Sequence, residues 1–258
     1  RRRSQEPQEP KLDQRLPPPP GPRAFGHAWQ PLVATVDAGF GDVLVRASGT
    51  RLDDRTDAWS VRARVEVGTG AGLEAEFFSS DDGLFRGRFL NDGSAPAAAD
   101  AELLGVDVFP HFVFEPTFGD VRVPVRVGAF TDWQQLDSQR ARVEREWIAF
   151  GPRVVVEPTW RVLAGDRGHV EVFARLGGDV GPAWFSEEFR GGDDRDATAR
   201  WAGELGAGVR GRYGALHAEL GYRLRHATYG EIGSDLYGDR NRTELQRQQV
   251  FVGFGFTY

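Results

Sequence analysis

Five histidines, His27, His111, His169, His217 and His226, are the first residues to test for acid–base or metal chemistry, and none belongs to a His-Glu-x-x-His pair. No Gly-x-Ser-x-Gly elbow presents a nucleophile, and no Gly-x-x-x-x-Gly-Lys loop could cradle a phosphate. Cysteine is absent, which removes thiolate ligands, a thiol nucleophile and disulfides. Two acidic pairs, Glu187-Glu188 and Asp193-Asp194, share one polar stretch, and His226 is near another; solvated turn residues give the same pattern. The chain is therefore read as non-enzymatic, with no catalytic residue, no metal and no cofactor.

What the sequence holds instead is a large set of arginines and carboxylates, and their meaning depends on the elements that carry them. From about residue 31 the texture is period two, the mark of strands with one apolar face. Trp59, Val61, Ala63, Val65 and Val67 alternate with Ser60, Arg62, Arg64 and Glu66; Val121, Val123, Val125 and Val127 alternate with Arg122, Pro124 and Arg126. Ala197, Ala199, Trp201, Gly203, Leu205, Ala207 and Val209 keep one parity for more than a dozen residues. Ten strands are predicted, over about 34–48, 57–68, 71–90, 102–116, 119–133, 144–164, 168–185, 197–212, 215–229 and 247–258. Ser79-Ser80-Asp81-Asp82-Gly83 interrupts the third and could be a turn. Short connections such as Tyr213-Gly214 alternate with longer polar loops around 49–57, 91–101, 134–143, 186–196 and 230–246.

On these registers one face collects charge. It holds Arg46, Arg62, Arg64, Arg86, Arg88, Arg122, Arg126, Arg153, Arg161, Arg175, Arg200, Arg210, Arg212, Arg223 and Arg225. Against them stand Glu66, Glu74, Glu76, Asp107, Glu115, Glu157, Glu171, Glu204 and Glu219, so fifteen positive charges meet nine negative ones. A soluble sheet buries its apolar face and wets its charges, whereas a membrane barrel does the reverse. The strands are long enough for a tilted crossing, the charges exceed what a half-exposed sheet needs, and Lys11 is the only lysine. The aromatics Trp59, Trp133, Trp147 and Trp184, with Tyr229, fall beside the long loops, and Phe118, Trp160, Tyr213 and Tyr258 beside the short turns or the terminus, as two interfacial girdles would. Val121, Val123, Val125, Leu205 and Val252 are accordingly expected to face lipid, and Arg122, Arg126 and Arg200 the lumen. No stretch approaches the roughly 20 apolar residues of a membrane helix, so only a closed barrel could cross.

The final segment carries the most specific signal. Val250, Val252, Phe254, Phe256 and Tyr258 share a face while Gly253, Gly255 and Thr257 fill the other, and this resembles the C-terminal assembly signal of bacterial outer-membrane proteins. Upstream, Leu205-Gly206-Ala207-Gly208-Val209 followed by Leu220-Gly221-Tyr222-Arg223 is similar to the penultimate hairpin of small porin-like barrels. Phe150-Gly151-Pro152-Arg153-Val154, running on to Trp160-Arg161, is similar to a central strand of some pore-forming outer-membrane families. The resemblance covers roughly 144 to 258 and is to the outer-membrane β-barrel superfamily of small porin-like and OmpA-like barrels. It implies an all-β, antiparallel up-and-down transmembrane barrel of about ten strands, within a range of about eight to twelve. It also implies outer-membrane lipid and the barrel assembly machinery as partners; the net charge of -6 gives no reason to expect nucleic acid. Likeness to the ten-strand outer-membrane proteases would require acidic pairs and a His-Asp pair on the outer rim, and phospholipase barrels a lipid-facing His and Ser; no matching set is found.

Barrels of about eight strands are filled by side chains, and open aqueous channels appear near sixteen. The leading expectation is thus a structural or interaction component of the outer membrane whose lumen is packed by an arginine–carboxylate network. A narrow porin-like channel with anion preference, driven by the arginine surplus, is the alternative, and a soluble ligand-binding β-barrel is a second. Residues 1–30, with seven prolines, six basic and three acidic residues, are expected to form an extended arm in the periplasm, available to a periplasmic or outer-membrane protein partner, before a barrel over 31–258. Arg1-Arg2-Arg3 leads into Ser4-Gln5-Glu6-Pro7 with no apolar core, so a secretory signal is expected to have been removed already.

Overall fold

The computed structural model describes residues 32–47, 52–68, 70–80, 83–86, 98–138, 143–165, 167–189, 192–232 and 241–258. The arm 1–30, Arg88 and the centres of the 91–101 and 230–246 loops lie outside the described residues. Fourteen strand segments follow one another: β1 (Val33–Ala47), β2 (Leu52–Glu66), β3 (Ala71–Ser80), β4 (Gly83–Arg86), β5 (Ala98–Phe114), β6 (Thr117–Phe118) and β7 (Val121–Arg122). Then come β8 (Val125–Ser138), β9 (Val143–Val156), β10 (Thr159–Ala164), β11 (Gly168–Phe189), β12 (Gly192–Tyr213), β13 (Leu216–Ile232) and β14 (Asn241–Thr257). Ten long segments form the wall, β1, β2, β3, β5, β8, β9, β11, β12, β13 and β14, each antiparallel to the next. β14 returns to β1 from Val33↔Thr257 to Ala47↔Thr243, which closes the barrel. Leu32 and Tyr258 exchange backbone hydrogen bonds of 2.9 Å beside that seam. Gly70, Gly119 and Gly214 take positive φ in tight turns at the end where Leu32 and Tyr258 lie, a conformation glycine adopts without steric cost.

The third predicted strand is a single crossing. Ser79 pairs with Leu104 and Gly83 with Ala101, so the first chain carries one residue more than its partner, as in a bulge, and the strand number stays even. Two other predicted strands are broken by proline, which has no N–H to give a ladder. Val123-Pro124 separates β7 from β8, and Glu157-Pro158 separates β9 from β10. The chain is held there by Val123 N–H donating to Pro116 O and Glu157 N–H to Pro124 O, both at 2.9 Å. Val123 thus lies in a break near the short turns, not in the middle of a strand.

Several stretches expected as loops are strand. β2 begins at Leu52, β8 runs to Ser138, and β11 and β12 stay paired up to Phe189↔Gly192. Their polarity arises from position along the barrel. On β14 the outward residues are apolar at Val250, Val252, Phe254, Phe256 and Tyr258, then polar at Gln248, Gln246, Glu244 and Arg242. The same change occurs after Phe40, Trp59, Phe77, Leu104, Trp133, Ile148 and Trp184, where Asp42, Asp57, Ser79, Glu102, Gln135, Glu146 and Ser186 follow. A single apolar belt therefore rings the outside. β11 and β12 have 22 residues each, roughly 50 Å of height at a tilt near 45°. A hydrocarbon-matched band is about 25 Å tall. The remainder of the barrel extends past the belt on the long-hairpin side.

One wall contact has its own chemistry. Between β9 and β11 the pairing lapses from Asp179↔Arg153 to Ala183↔Ala149. There Phe150-Gly151-Pro152 faces Val180-Gly181-Pro182, and the missing proline donors both fall on this seam, since Pro152 stays paired to Ala129 and Pro182 to Ala199 on their other sides. The glycines let the backbones close the gap. A Cβ at Gly151 would sit 2.1 Å from Val180 O, and one at Gly181 would sit 1.9 Å from Phe150 O.

Candidate functional site: a filled lumen

The inward residues build two layers, each set by how far along the strands its members lie. Toward the short turns the layer is ionic. Glu157, 2% exposed, is its hub: Arg64 and Arg126 reach Glu157 Oε2 at 3.2 Å, Arg210 reaches Oε1 at 3.1 Å and Arg175 approaches Oε2 at 3.5 Å. Glu74 and Glu204 hold Arg175 at 2.6 and 2.7 Å, and Glu66 holds Arg126 at 2.6 Å. Glu219 takes Arg210 at 2.7 Å, and Asp37 takes Arg62 at 2.7 Å. Glu76 is shared by Arg223 at 2.9 Å and Arg247 at 3.1 Å. Higher up, Arg153 donates two hydrogen bonds to Asp107, at 2.5 and 2.6 Å, and also approaches Asp179 at 2.9 Å. Arg200, fully buried, bridges Asp179 and Asp132.

Above this lies an apolar layer that includes Val43, Val45, Phe78, Leu103, Phe130, Leu136, Trp147, Phe185, Tyr229 and Leu245, all buried. Aromatic faces join the two layers. Arg153 lies over Phe109 and Phe130 at 5.2 and 4.9 Å, Arg200 over Phe130 at 4.8 Å, and Arg247 over Phe78 at 4.0 Å. A guanidinium over a ring is attracted to its quadrupole while keeping its edge donors for carboxylates.

The expected arginine surplus is absent. Among the described residues the buried arginines of the ionic layer are Arg62, Arg64, Arg126, Arg153, Arg175, Arg200, Arg210, Arg223, Arg225 and Arg247, ten in all. They meet ten carboxylates: Asp37, Glu66, Glu74, Glu76, Asp107, Asp132, Glu157, Asp179, Glu204 and Glu219. Arg46 and Arg161, expected inside, are exposed, and Arg122 sits at the short-turn rim between Glu115 at 3.2 Å and Glu171 at 2.7 Å. Asp37, Asp132, Asp179 and Arg247, which alternation did not single out, complete the balance. Buried charges require this pairing, because an unpaired one costs several kcal/mol of lost hydration.

The outward aromatics divide between two rims. Trp59, Trp133 and Trp184 lie on the long-hairpin edge of the belt, with Trp59 5.4 Å from Phe77 and Trp184 stacked on Phe150 at 5.1 Å. Trp160 and Tyr213 are exposed at the short-turn edge. Val252, Phe254, Phe256 and Tyr258 all point outward and are largely exposed. Trp147 and Tyr229 are corrections: both face inward, fully buried, with centroids 6.0 Å apart. β9 continues to Val143, so Trp147 lies on the inward parity beside Ile148, which marks the belt's edge instead.

At the long-hairpin end Glu187 is buried against Arg145 at 2.5 Å, and Asp193 approaches Arg195 at 3.7 Å. His226 faces outward, 5.8 Å from the Trp201 ring and 3.2 Å from Thr228 Oγ1. The described residues contain no group of three potential metal ligands among His, Asp and Glu.

With this geometry in place, comparison with solved structures is informative. The barrel aligns with outer membrane protease OmpT from Escherichia coli at a TM-score of 0.57, with 8% identity, over 92% of this chain and 99% of that one. The fold is that of the bacterial outer-membrane β-barrels. Looser alignments join it to the translocator domain of the autotransporter NalP from Neisseria meningitidis (TM-score 0.39, 10% identity, 88% of each chain) and to Neisserial surface protein A (0.32, 11%, 88% and 97%). No family model matches the chain, and no curated protein matches it. At 8% identity the likeness to OmpT concerns architecture alone. The soluble-barrel alternative requires the opposite facing, with charge outside and an apolar lumen throughout.

Proposed function

We propose that this chain is a non-enzymatic outer-membrane barrel that serves as a structural or interaction component and passes no continuous stream of ions. The observation that carries the reading is the double filling of the lumen, a charge-matched ionic layer beneath a layer of Trp147, Phe185, Tyr229 and Leu136. Ion conduction needs hydrated sites or an unbalanced field along the path. The equality of arginines and carboxylates also weakens the anion-channel alternative, which rested on surplus positive charge. In this reading the short-turn end faces the periplasm, the arm 1–30 lies there and offers a polyproline segment to a partner, and assembly proceeds through the terminal aromatic face.

Planar-bilayer recording tests the proposal. The wild type is expected to show no steady conductance, and a Trp147→Ala, Phe185→Ala double variant to show brief openings. Steady ohmic conductance from wild-type protein would refute it.

A further inference from the structure

Between β9 and β11 side chains fasten the wall where its backbone ladder lapses. The register is the same below the lapse, at Asp179↔Arg153, and above it, at Ala183↔Ala149, which sets Gly151 opposite Gly181. Gly151 is paired on its other side to Phe130 and Gly181 to Arg200, so the four form one inward row. Pro152 and Pro182 supply no N–H to close this stretch, and the two glycines put no side chain behind it. Arg200 covers the gap instead. From β12 its guanidinium reaches past both glycines to lie 4.8 Å over the Phe130 ring and 2.7 Å from Asp132, both on β8. On the outer face Phe150 and Trp184 stack across the same stretch at 5.1 Å. The lapse is bounded, with Arg153 2.9 Å from Asp179 below and the Trp147 ring 5.6 Å from Phe185 above. Four residue steps separate the bounding ladder pairs, a slit roughly 13 Å long. The lapse beside Pro110, between Val108↔Thr131 and His111↔Gly128, differs: the buried rings of Phe109 and Phe130 stand behind it.

The Arg200 strap can let go of Asp132 without stranding a charge. Arg200 is also paired with Asp179, on the strand beside its own, and Asp132 also accepts from Gln134 Nε2 at 2.8 Å and from the Tyr229 hydroxyl at 3.5 Å. Parting one pair in a network that keeps the others avoids the full cost of an uncompensated buried charge. We propose that the β9–β11 seam is a lateral gate, latched by Arg200 on Asp132, through which small apolar molecules dissolved in the bilayer reach the lumen. The belt outside the slit is apolar, so what meets it is already in the hydrocarbon, and the Phe130 ring lies in the inward row behind it. The gate opens sideways, and the filled layers still block passage along the axis. The inference rests on the membrane reading given above.

The chain has no cysteine, so a single introduced cysteine reports one position. Ala183→Cys lies fully buried at the upper end of the slit, and Ala58→Cys lies buried on β2, paired on both sides. Each full-length variant is refolded into dioleoyl phosphatidylcholine vesicles that carry pyrene maleimide in the bilayer. Position 183 is expected to label about tenfold faster than position 58. Adding Asp132→Asn, which cuts the far end of the latch, should raise the rate at 183 about tenfold further and leave 58 unchanged. Heat-modifiable migration confirms that each variant is folded. Hydrogen exchange of the unsubstituted protein in the same vesicles needs no variant and decides the matter should Asp132→Asn fail to fold: segments 148–153 and 178–183 are expected to exchange faster than 107–112 around Pro110. Equal labelling at the two cysteines, a rate at 183 that Asp132→Asn leaves unchanged, an equal rise at 58, or seam segments as protected as 107–112 would each overturn the proposal. Carbonate washing separates the two failures: protein released from the vesicles defeats the membrane reading, and retained protein with any of those results defeats the gate alone.

Discussion

Replacing Glu157 with Gln keeps the shape of the hub and removes its charge. Four guanidinium groups stand within 3.1–3.5 Å of the carboxylate. A unit-charge pair at that distance is worth about 5 kcal/mol at an effective dielectric constant near 20. Repulsion among the arginines and the cost of stripping water from all five groups cancel most of the total. Three of the arginines keep close partners: Arg126 has Glu66 at 2.6 Å, Arg210 has Glu219 at 2.7 Å, and Arg175 has Glu74 and Glu204. Arg64 keeps only Glu66, at 3.7 Å. The variant therefore amounts to one buried cation losing its partner, which costs about 3–5 kcal/mol. Urea unfolding of protein refolded into lipid vesicles, followed by tryptophan fluorescence, measures it. Adding Arg64→Met should return part of the loss, with a coupling of about 1–3 kcal/mol between the sites. A cost below about 1 kcal/mol, or strict additivity in the double variant, would show that the hub does not work as a shared counter-ion.

Further outcomes follow from the wall. Gly181→Ala should block assembly or leave a barrel that migrates as unfolded without heating, because its Cβ would lie 1.9 Å from Phe150 O; Gly203→Ala, with nothing within 4 Å, should assemble normally by the same gel assay. Leu220→Arg, in the middle of the apolar belt on β13, should cost about 2–4 kcal/mol in vesicle unfolding, and Gln246→Arg, beyond the belt, about 0–1 kcal/mol; equal costs would remove the inside-out assignment. Deleting Phe256, Thr257 and Tyr258 removes the Leu216↔Phe256 and Val33↔Thr257 pairings at the closing seam, so protease-sensitive, unassembled protein is expected in cells.

Which parts of this structure were legible depends on whether the two faces of the wall differ. Toward the short turns they differ sharply: Arg62, Arg64 and Glu66 face in while Val61, Val65 and Val67 face out, and period two assigns each correctly. Asp37 obeys the same rule between Val36 and Ala38 and was findable. In the upper lumen the inward layer is itself apolar, so both parities are hydrophobic and alternation vanishes. Val43-Leu44-Val45, Leu103-Leu104 and Trp147-Ile148 are such runs: Val43, Val45, Leu103 and Trp147 lie in the core, while Leu44, Leu104 and Ile148 take the outward parity. Trp147 was placed on the girdle because an aromatic near a strand end suits an interface; where β9 ends, which decides its height, is written in Val143↔Ser138 and Val143↔Phe189, not in local composition. Beyond the belt the ambiguity takes the opposite form. There the outside faces water, polar residues occupy strands as they do loops, and Ser186–Asp196 looks like a loop although it is paired up to the Phe189↔Gly192 turn. The charge balance failed for a related reason. Asp132 and Asp179 flank the apolar layer, where alternation carries least information; missing them and Asp37, while counting the exposed Arg46 and Arg161 and the rim's Arg122 as inward, turns a matched network into a false surplus of arginine.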